Sequence, residues 1–261
     1  MELSFIGKVA IVAASSQGLG KAIAEQLVQK GANVMICGRV LKKLQKVKEE
    51  IDFKVNGKLD YIQCDLTNPN DIKKLVDTTR QTFGSIDIIV NNSGGPKAGT
   101  FDQITDEDWE HSFQLNLMSY VRLIRAALPD LKQSGGRIVN IASASVKQPI
   151  PGLLLSNTFR TGIVGLAKTL AEELGPYNIL INTVAPGKIA TDRVAELDQY
   201  TAETKQKTKE EVEQASIDAI PLNRYGTPEE FAKVVAFLVS EENTYMTGST
   251  FLIDGGMVKS I

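Results

Sequence analysis

Lys8–Lys30 reads KVAIVAASSQGLGKAIAEQLVQK, and the reading of the whole chain turns on it. Val9–Ala13 is a short apolar run of strand type. Ser15, Ser16, Gln17, Gly18, Leu19 and Gly20 form a turn of small residues. From Leu19 the apolar residues return at helical spacing, as Leu19, Ile23 and Leu27 with Ala22 and Ala24 between them. A strand that turns through small residues into a helix makes an anion site, because the first helical N–H groups point outward and the helix dipole favours negative charge. Gly18 and Gly20 let a diphosphate approach the backbone and let the helix sit close to the sheet. Where such a loop carries its first glycine, this chain has Ala14.

Outward from this unit, strand and helix patterns alternate. Strands are expected at Asn33–Cys37, Leu59–Cys64, Ile86–Val90, Arg137–Ile141, Ile179–Val184 and Thr250–Ile253. Helices are expected at Leu41–Ile51, Asn68–Phe83, Asp106–Leu131, Leu153–Leu174 and Pro228–Ser240, and the charged stretch Thr191–Ala219 is helical as well. Asn68 and Thr227 are placed as caps, each with proline at the next position. Strands separated by helices of this length imply a parallel sheet covered on both faces, and right-handed crossovers make it doubly wound. The expected fold is α/β: one Rossmann-type domain over residues 1–261, with a seven-stranded parallel sheet.

Composition narrows the function. With a formal net charge of −2 over 261 residues there is no basic patch for nucleic acid. No apolar run approaches membrane-spanning length and no cleavable leader opens the chain, so a cytoplasmic location is expected. Cys37 and Cys64 lack metal-site spacing and read as reduced, partly buried thiols. A single histidine, His111, disfavours histidine-based metal sites and Ser-His-Asp hydrolysis; no metal site is expected, and His111 reads as structural or surface.

In such a sheet, ligands bind beyond the carboxyl ends of the strands. That rule selects Ser15–Gly20 after the first strand, Gly38 and Arg39 after the second, and Asp65 and Leu66 after the third. It then selects Asn91, Asn92, Ser93 and Gly94, next Ala142–Ala144, and last Pro186, Gly187, Ile189 and Thr191. These stretches are small and polar where the strands before them are apolar.

With these residues in view, the chain from Gly7 to about Gly256 resembles the short-chain dehydrogenase/reductase family, in its 3-oxoacyl-[acyl-carrier-protein] reductase-like branch. The family's Thr-Gly-x-x-x-Gly-x-Gly motif falls on Ala13–Gly20, and its Asn-Asn-Ala-Gly motif on Asn91–Gly94. Its helix asparagine falls on Asn116, its catalytic serine on Ser143, and its Pro-Gly pair on Pro186–Gly187, followed by Thr191. Leu252–Gly256 is the family's closing Leu-Ile-Asp-Gly-Gly. Its Tyr-x-x-x-Lys motif is absent: the register set by Ser143 and by Gly162–Leu170 puts Ser156 at the tyrosine and Arg160 at the lysine.

The resemblance implies a nicotinamide cofactor held by Ala14, Ser15, Ser16, Gln17, Gly18, Leu19, Gly20, the residues after the later strands, and Arg160. In the family the tyrosine protonates the developing alkoxide, the serine holds the carbonyl oxygen, and the lysine binds the nicotinamide ribose. A serine hydroxyl is a far weaker acid than a phenol tuned by a nearby cation. Arg160 has donors for the ribose but no proton to release. One helical turn apart, Ser156 and Arg160 share a face. Lys147, four residues after Ser143, is the candidate substitute donor. Tyr120 reads as packing. Arg39, with no acid at the end of its strand, suits a 2′-phosphate, so NADP is expected over NAD. Asp65 is the expected partner of the adenine amino group, Asn91 lines the ribose side, and Thr191 sits by the nicotinamide carboxamide or a phosphate. The resemblance also implies a substrate lid at about 191–219 and a homo-oligomer, tetramer or dimer, through the two long helices. Ile150, Leu153, Leu154 and Leu155 supply apolar walls to a pocket or a subunit contact.

Two functions stay open from sequence: an NADP-dependent reductase of a small-molecule carbonyl or activated double bond with a modified proton donor, and a non-catalytic NADP-binding sensor or partner subunit.

Overall fold

Strands buried on both faces of a parallel sheet carry continuous apolar runs. The runs of β1 (Val9–Val12), β2 (Asn33–Gly38) and β4 (Ile88–Asn91) are of this kind. In the computed structural model, which describes residues 3–51 and 56–260, they are the centre of one sheet. Residues 1–2, 52–55 and 261 of the expected domain lie outside the described residues. With β3 (Lys58–Gln63), β5 (Arg137–Ile141), β6 (Leu180–Pro186) and β7 (Thr250–Ile253) the order is β3-β2-β1-β4-β5-β6-β7, parallel throughout. The winding reverses between β1 and β4, which opens a crevice at their carboxyl ends.

The two-residue period of a strand sends alternate side chains to opposite faces. Val12, Ile36, Val90 and Val139 pack on one side against Ile23 and Leu27 of α1 (Gly18–Gln29) and Phe231 and Val235 of α9 (Pro228–Val239). Ile11, Met35, Ile89 and Ile138 pack on the other. There they meet Leu75 of α3 (Pro69–Phe83), Leu123 of α5 (Ser119–Ser134) and Ala167 of α6 (Leu154–Leu174). Each such side chain contributes about 1.5–3 kcal/mol on burial. α2 (Leu41–Ile51) covers the β2–β3 end of the sheet with Leu44 and Val47.

Most element limits differ from expectation by one or two residues. Two differences matter more. The helix expected over Asp106–Leu131 is α4 (Asp106–Phe113), a π-helical turn at Gln114–Met118, and α5, which runs on to Ser134. At the centre of the wider turn stands Asn116, whose side chain is drawn toward the β4 loop; such turns recur at functional sites. The stretch expected as one helical region over 191–219 is two helices, α7 (Asp192–Lys205) and α8 (Lys209–Asp218). They part at Gln206, in the left-handed region at φ 52°, before the Thr208 capping box.

Candidate active site

A cavity of about 430 Å³ fills the crevice beyond the carboxyl ends of β1 to β6. Its first wall is the β1–α1 turn. The side chain of Ser15 turns away from the cavity: its hydroxyl donates to Val12 O at 2.6 Å and accepts from Cys37 N at 3.1 Å. Ser16, Gln17, Gly18 and Leu19 line the cavity. Gly20 lies behind them, where a Cβ would stand 2.6 Å from Ala14 O. Gly18 has φ +56°, so it needs glycine for its backbone. Ala14 has φ 46°, also left-handed, so the glycine missing there was a matter of backbone shape and not of size alone.

The helices α3, α4, α7, α8 and α9 each have an Asn or Thr side chain capping the first turn. α1 has none: Gln17 makes no side-chain cap, and its first turn carries no acid. Its outward N–H groups are left for an anion. This cradle fits the diphosphate of a dinucleotide.

After β2, Arg39 and Lys43 line the cavity, and Lys43 Nζ donates to Gln17 Oε1 at 2.7 Å. Asp65 and Leu66 line it after β3. Partial burial pushes the Asp65 carboxyl up, but hydrogen bonds from the Thr67 N–H (2.9 Å) and hydroxyl (2.8 Å), with Arg39 nearby, hold it below the usual range. Cys64 also lines the cavity; its hydrogen bond with Cys37 and then its burial push the thiol up, which favours its protonated form.

Asn91 is the last residue of β4 and faces inward, its Nδ2 donating to Asn140 Oδ1 at 2.8 Å. It does not line the cavity; Asn92 does, and also donates to Ala14 O at 3.1 Å. Asn116 is likewise behind the wall. Its Nδ2 donates to Ser93 Oγ at 3.0 Å and Gly94 O at 2.7 Å, while Oδ1 accepts from Ser112 Oγ at 2.9 Å. Its Nδ2 is thus spent on holding the Ser93–Gly94 loop and its Oδ1 on Ser112 of α4.

Ser143, Ser156 and Arg160 come together on the cavity wall. Ser143 starts a 3₁₀ turn, and its Oγ accepts from Ser145 N at 3.2 Å, which leaves the hydroxyl hydrogen free to donate. Ser156 Oγ lies 3.4 Å from Ser145 Oγ. Arg160 is 5% exposed and forms no ion pair among the described residues. Its Nη1 donates to Tyr120 Oη at 2.5 Å and Ile141 O at 2.9 Å, and its Nη2 to Ser93 Oγ at 3.2 Å. Tyr120 Oη itself donates to Ile141 O at 2.8 Å, so Tyr120 fixes the guanidinium besides packing. A buried guanidinium held only by neutral acceptors, at the edge of a cavity, is set to meet an anion or a developing oxyanion.

Pro186, Gly187, Ile189 and Thr191 line the far side, and a Cβ on Gly187 would stand 2.6 Å from that of Asp254. Of the four apolar candidates after β5 only Leu153 reaches the cavity. Lys147 ends the 3₁₀ turn exposed and off the lining, and His111 is an exposed residue of α4. The lining also holds Lys43, Gly95, Pro96, Asp192 and Arg193, which reading strand ends did not select. Lys43 was recognisable as one turn into the helix after Arg39; Arg193 had no local signal.

Among the described residues no three His, Cys, Asp or Glu side chains group as metal ligands, and no helix is long and apolar enough to cross a membrane.

Comparison with known proteins matches this geometry. A family model described as "Enoyl-(Acyl carrier protein) reductase" matches residues 13–258. The chain is 38% identical to the 3-oxoacyl-[acyl-carrier-protein] reductase FabG of Aquifex aeolicus, over 98% of this chain and 100% of that one. It is 36% identical to Dehydrogenase/reductase SDR family member 4 of Caenorhabditis elegans, over 97% of this chain and 96% of that one. The L-sorbose reductase of Gluconobacter frateurii, solved with NADPH and L-sorbose, superposes with a TM-score of 0.93 at 31% identity, covering 100% of both chains. Sheet order, cradle and full-length similarity agree that the chain belongs to the short-chain dehydrogenase/reductase family.

Proposed function

We propose that this protein is an NADPH-dependent reductase of a carbonyl group on a small molecule, working with Ser143, Ser156 and Arg160 where relatives use a Tyr-x-x-x-Lys pair. The observation that carries the reading is Arg160. It is buried at the lysine position, fixed by Tyr120, Ile141 and Ser93, and still on the cavity wall beside Ser156.

NADPH, when bound, supplies the hydride. The chain's own residues bind and orient. The α1 N-terminus and Gly18 hold the diphosphate, and Arg39 with Lys43 reads the 2′-phosphate, which favours NADP over NAD. The Ser143 hydroxyl donates to the substrate oxygen. Arg160 offers fixed positive charge to the same end of the cavity, where removal of water strengthens it. It releases no proton at working pH. The proton therefore reaches the oxygen through Ser156 and water, and the lost phenol costs about 10²–10⁴ in rate relative to a tyrosine-bearing site. A 3-oxoacyl substrate, as named for the FabG relatives, is the first class to test. In the same reading α7 and α8 form the substrate lid, the protein is cytoplasmic, and copies associate as a homo-oligomer.

The test is a titration of NADPH and NADH into the purified protein, followed by loss of nicotinamide absorbance with ketones, 3-oxo esters and enones. Turnover of a ketone with NADPH is the expected result. Turnover confined to enones moves the assignment to double-bond reduction. Tight NADPH binding with no turnover across the panel overturns the enzyme in favour of a dinucleotide-binding sensor.

A further inference from the structure

We infer that the carbonyl substrate carries its own carboxylate, and that Arg193 binds it across the mouth of the cavity; this rests on the reductase reading above. Arg193 is the second residue of α7, where a cation opposes the helix dipole, so its place does nothing for the helix. Its side chain reaches back to the β4 loop, and Nη2 donates to Pro96 O at 2.6 Å. The seat is made by a missing side chain. A Cβ on Gly95 would stand 2.5 Å from Arg193 Nε and 2.9 Å from Cζ and Nη2, so a larger residue there expels the guanidinium.

A guanidinium has five N–H donors. One is taken by Pro96 O, and one points at Glu196 at 3.4 Å, a long contact to an exposed acid that contributes little. The others have no hydrogen-bond partner among the described residues, and Arg193 lines the cavity. Asp192 is the one further charged group of this first turn on the lining, and it forms no ion pair with Arg193.

The cations suited to the dinucleotide, Arg39 and Lys43, follow β2 on the opposite side of β1. Arg193 stands instead against the loop after β4, at Gly95 and Pro96, just beyond the Ser93 that holds Arg160, and shares the cavity lining with Leu153, Val194, Leu197, Ser143 and Ser156. A carbonyl at the serines, with a cation and apolar side chains on the lining of the same cavity, describes an oxo acid whose two ends are joined by a short apolar chain. A planar fork facing a carboxylate pairs in bidentate fashion.

The experiment compares acetoacetate, levulinate and 5-oxohexanoate with their methyl esters, using NADPH consumption by the full-length protein. At least one acid is expected to exceed its ester about 10- to 100-fold in kcat/KM, the worth of one charge-assisted pair. Arg193→Met levels that pair while NADPH affinity stays within about twofold. Arg193→Lys restores part of the preference. Gly95→Ala, which changes no charge, levels the pair as well. Equal use of acid and ester by the unaltered protein overturns the inference. So does an Arg193→Met variant that weakens NADPH binding instead, since the arginine then serves the dinucleotide. If no compound is turned over, the reductase reading fails on its own. Calorimetric titration of the same acids into the protein–NADP⁺ complex then decides the carboxylate site: binding lost in Arg193→Met supports it, and no binding of any acid overturns it.

Discussion

The cavity has two halves that are built from different materials. Below β1, β2 and β3 the wall is largely backbone: the uncapped N-terminus of α1, the left-handed turns at Ala14 and Gly18, and a few exposed cations at the rim. Below β4, β5 and β6 it is a side-chain network, running from Ser112 through Asn116, Ser93 and Arg160 to Tyr120 and the Ile141 carbonyl. Backbone groups survive substitution of the side chains beside them, so the first half keeps its shape with alanine where relatives have glycine. In the second half the partners are side chains bonded to one another, several of them shared, so losing one disturbs the others. α7 belongs to this half, clasped at Asp198 by Lys188 and Tyr225.

Substitution can break that contrast. The largest effect is expected from Arg160→Met, which removes a buried charge on the cavity wall and takes one donor each from Ser93, Tyr120 and Ile141. Turnover should fall about 10²–10³-fold, as for loss of one oxyanion donor. Steady-state kinetics checks this, and a fall of less than about fivefold would show that the second half does not depend on its parts.

Arg39→Asp acts on the rim of the first half alone. It should turn the NADPH-to-NADH preference by about 10- to 100-fold, because it exchanges a phosphate partner for an acid that suits a ribose diol. Turnover with saturating cofactor should stay put. Cofactor titrations read both quantities.

The clasp on α7 gives a pH effect. Burial, and then the hydrogen bond to Asp198, push the Tyr225 phenol from 10.0 to about 12. A group raised on folding contributes stability that is complete below its unfolded value and lost as pH rises through its folded one. The difference in Tm between the unaltered protein and Tyr225→Phe should therefore hold up to about pH 10 and fade toward pH 12. A difference flat across that window would show that the phenol does not hold α7.

The smallest effect tests the backbone-built half directly. Ala14→Gly removes a left-handed alanine, which costs about 1–2 kcal/mol, but restores glycine's unfolded-state entropy of about 0.5–1 kcal/mol. A net gain below about 1 kcal/mol in chemical denaturation, with unchanged NADPH affinity, is expected.

Much of this was legible along the chain. The alternating strands and helices, their order, and the glycine turn are written in local periods and turn residues. Ser143, Ser156 and Arg160 were located by register and do share a wall. Two kinds of position look different once folded. Asn91 and Asn92 are neighbours at a strand end, where one residue of register exchanges inside for cavity. Asn116 and Tyr120 looked like a reactive residue and a packing residue. The folded side chains show that both hold something else in place, the Ser93–Gly94 loop and Arg160.

The sequence alone determined the class of fold and the crevice in which a dinucleotide would lie. Those depend on hydrophobic period, on chain direction, and on residues close together in the chain. Only the tertiary structure decided which polar residues face the cavity and which are spent behind it, because hydrogen-bond partners such as Arg160 and Ser93 are far apart along the chain. It alone brought Arg193 onto the bare backbone of Gly95 beside Pro96, a contact between loops that follow different strands, which no local pattern encodes.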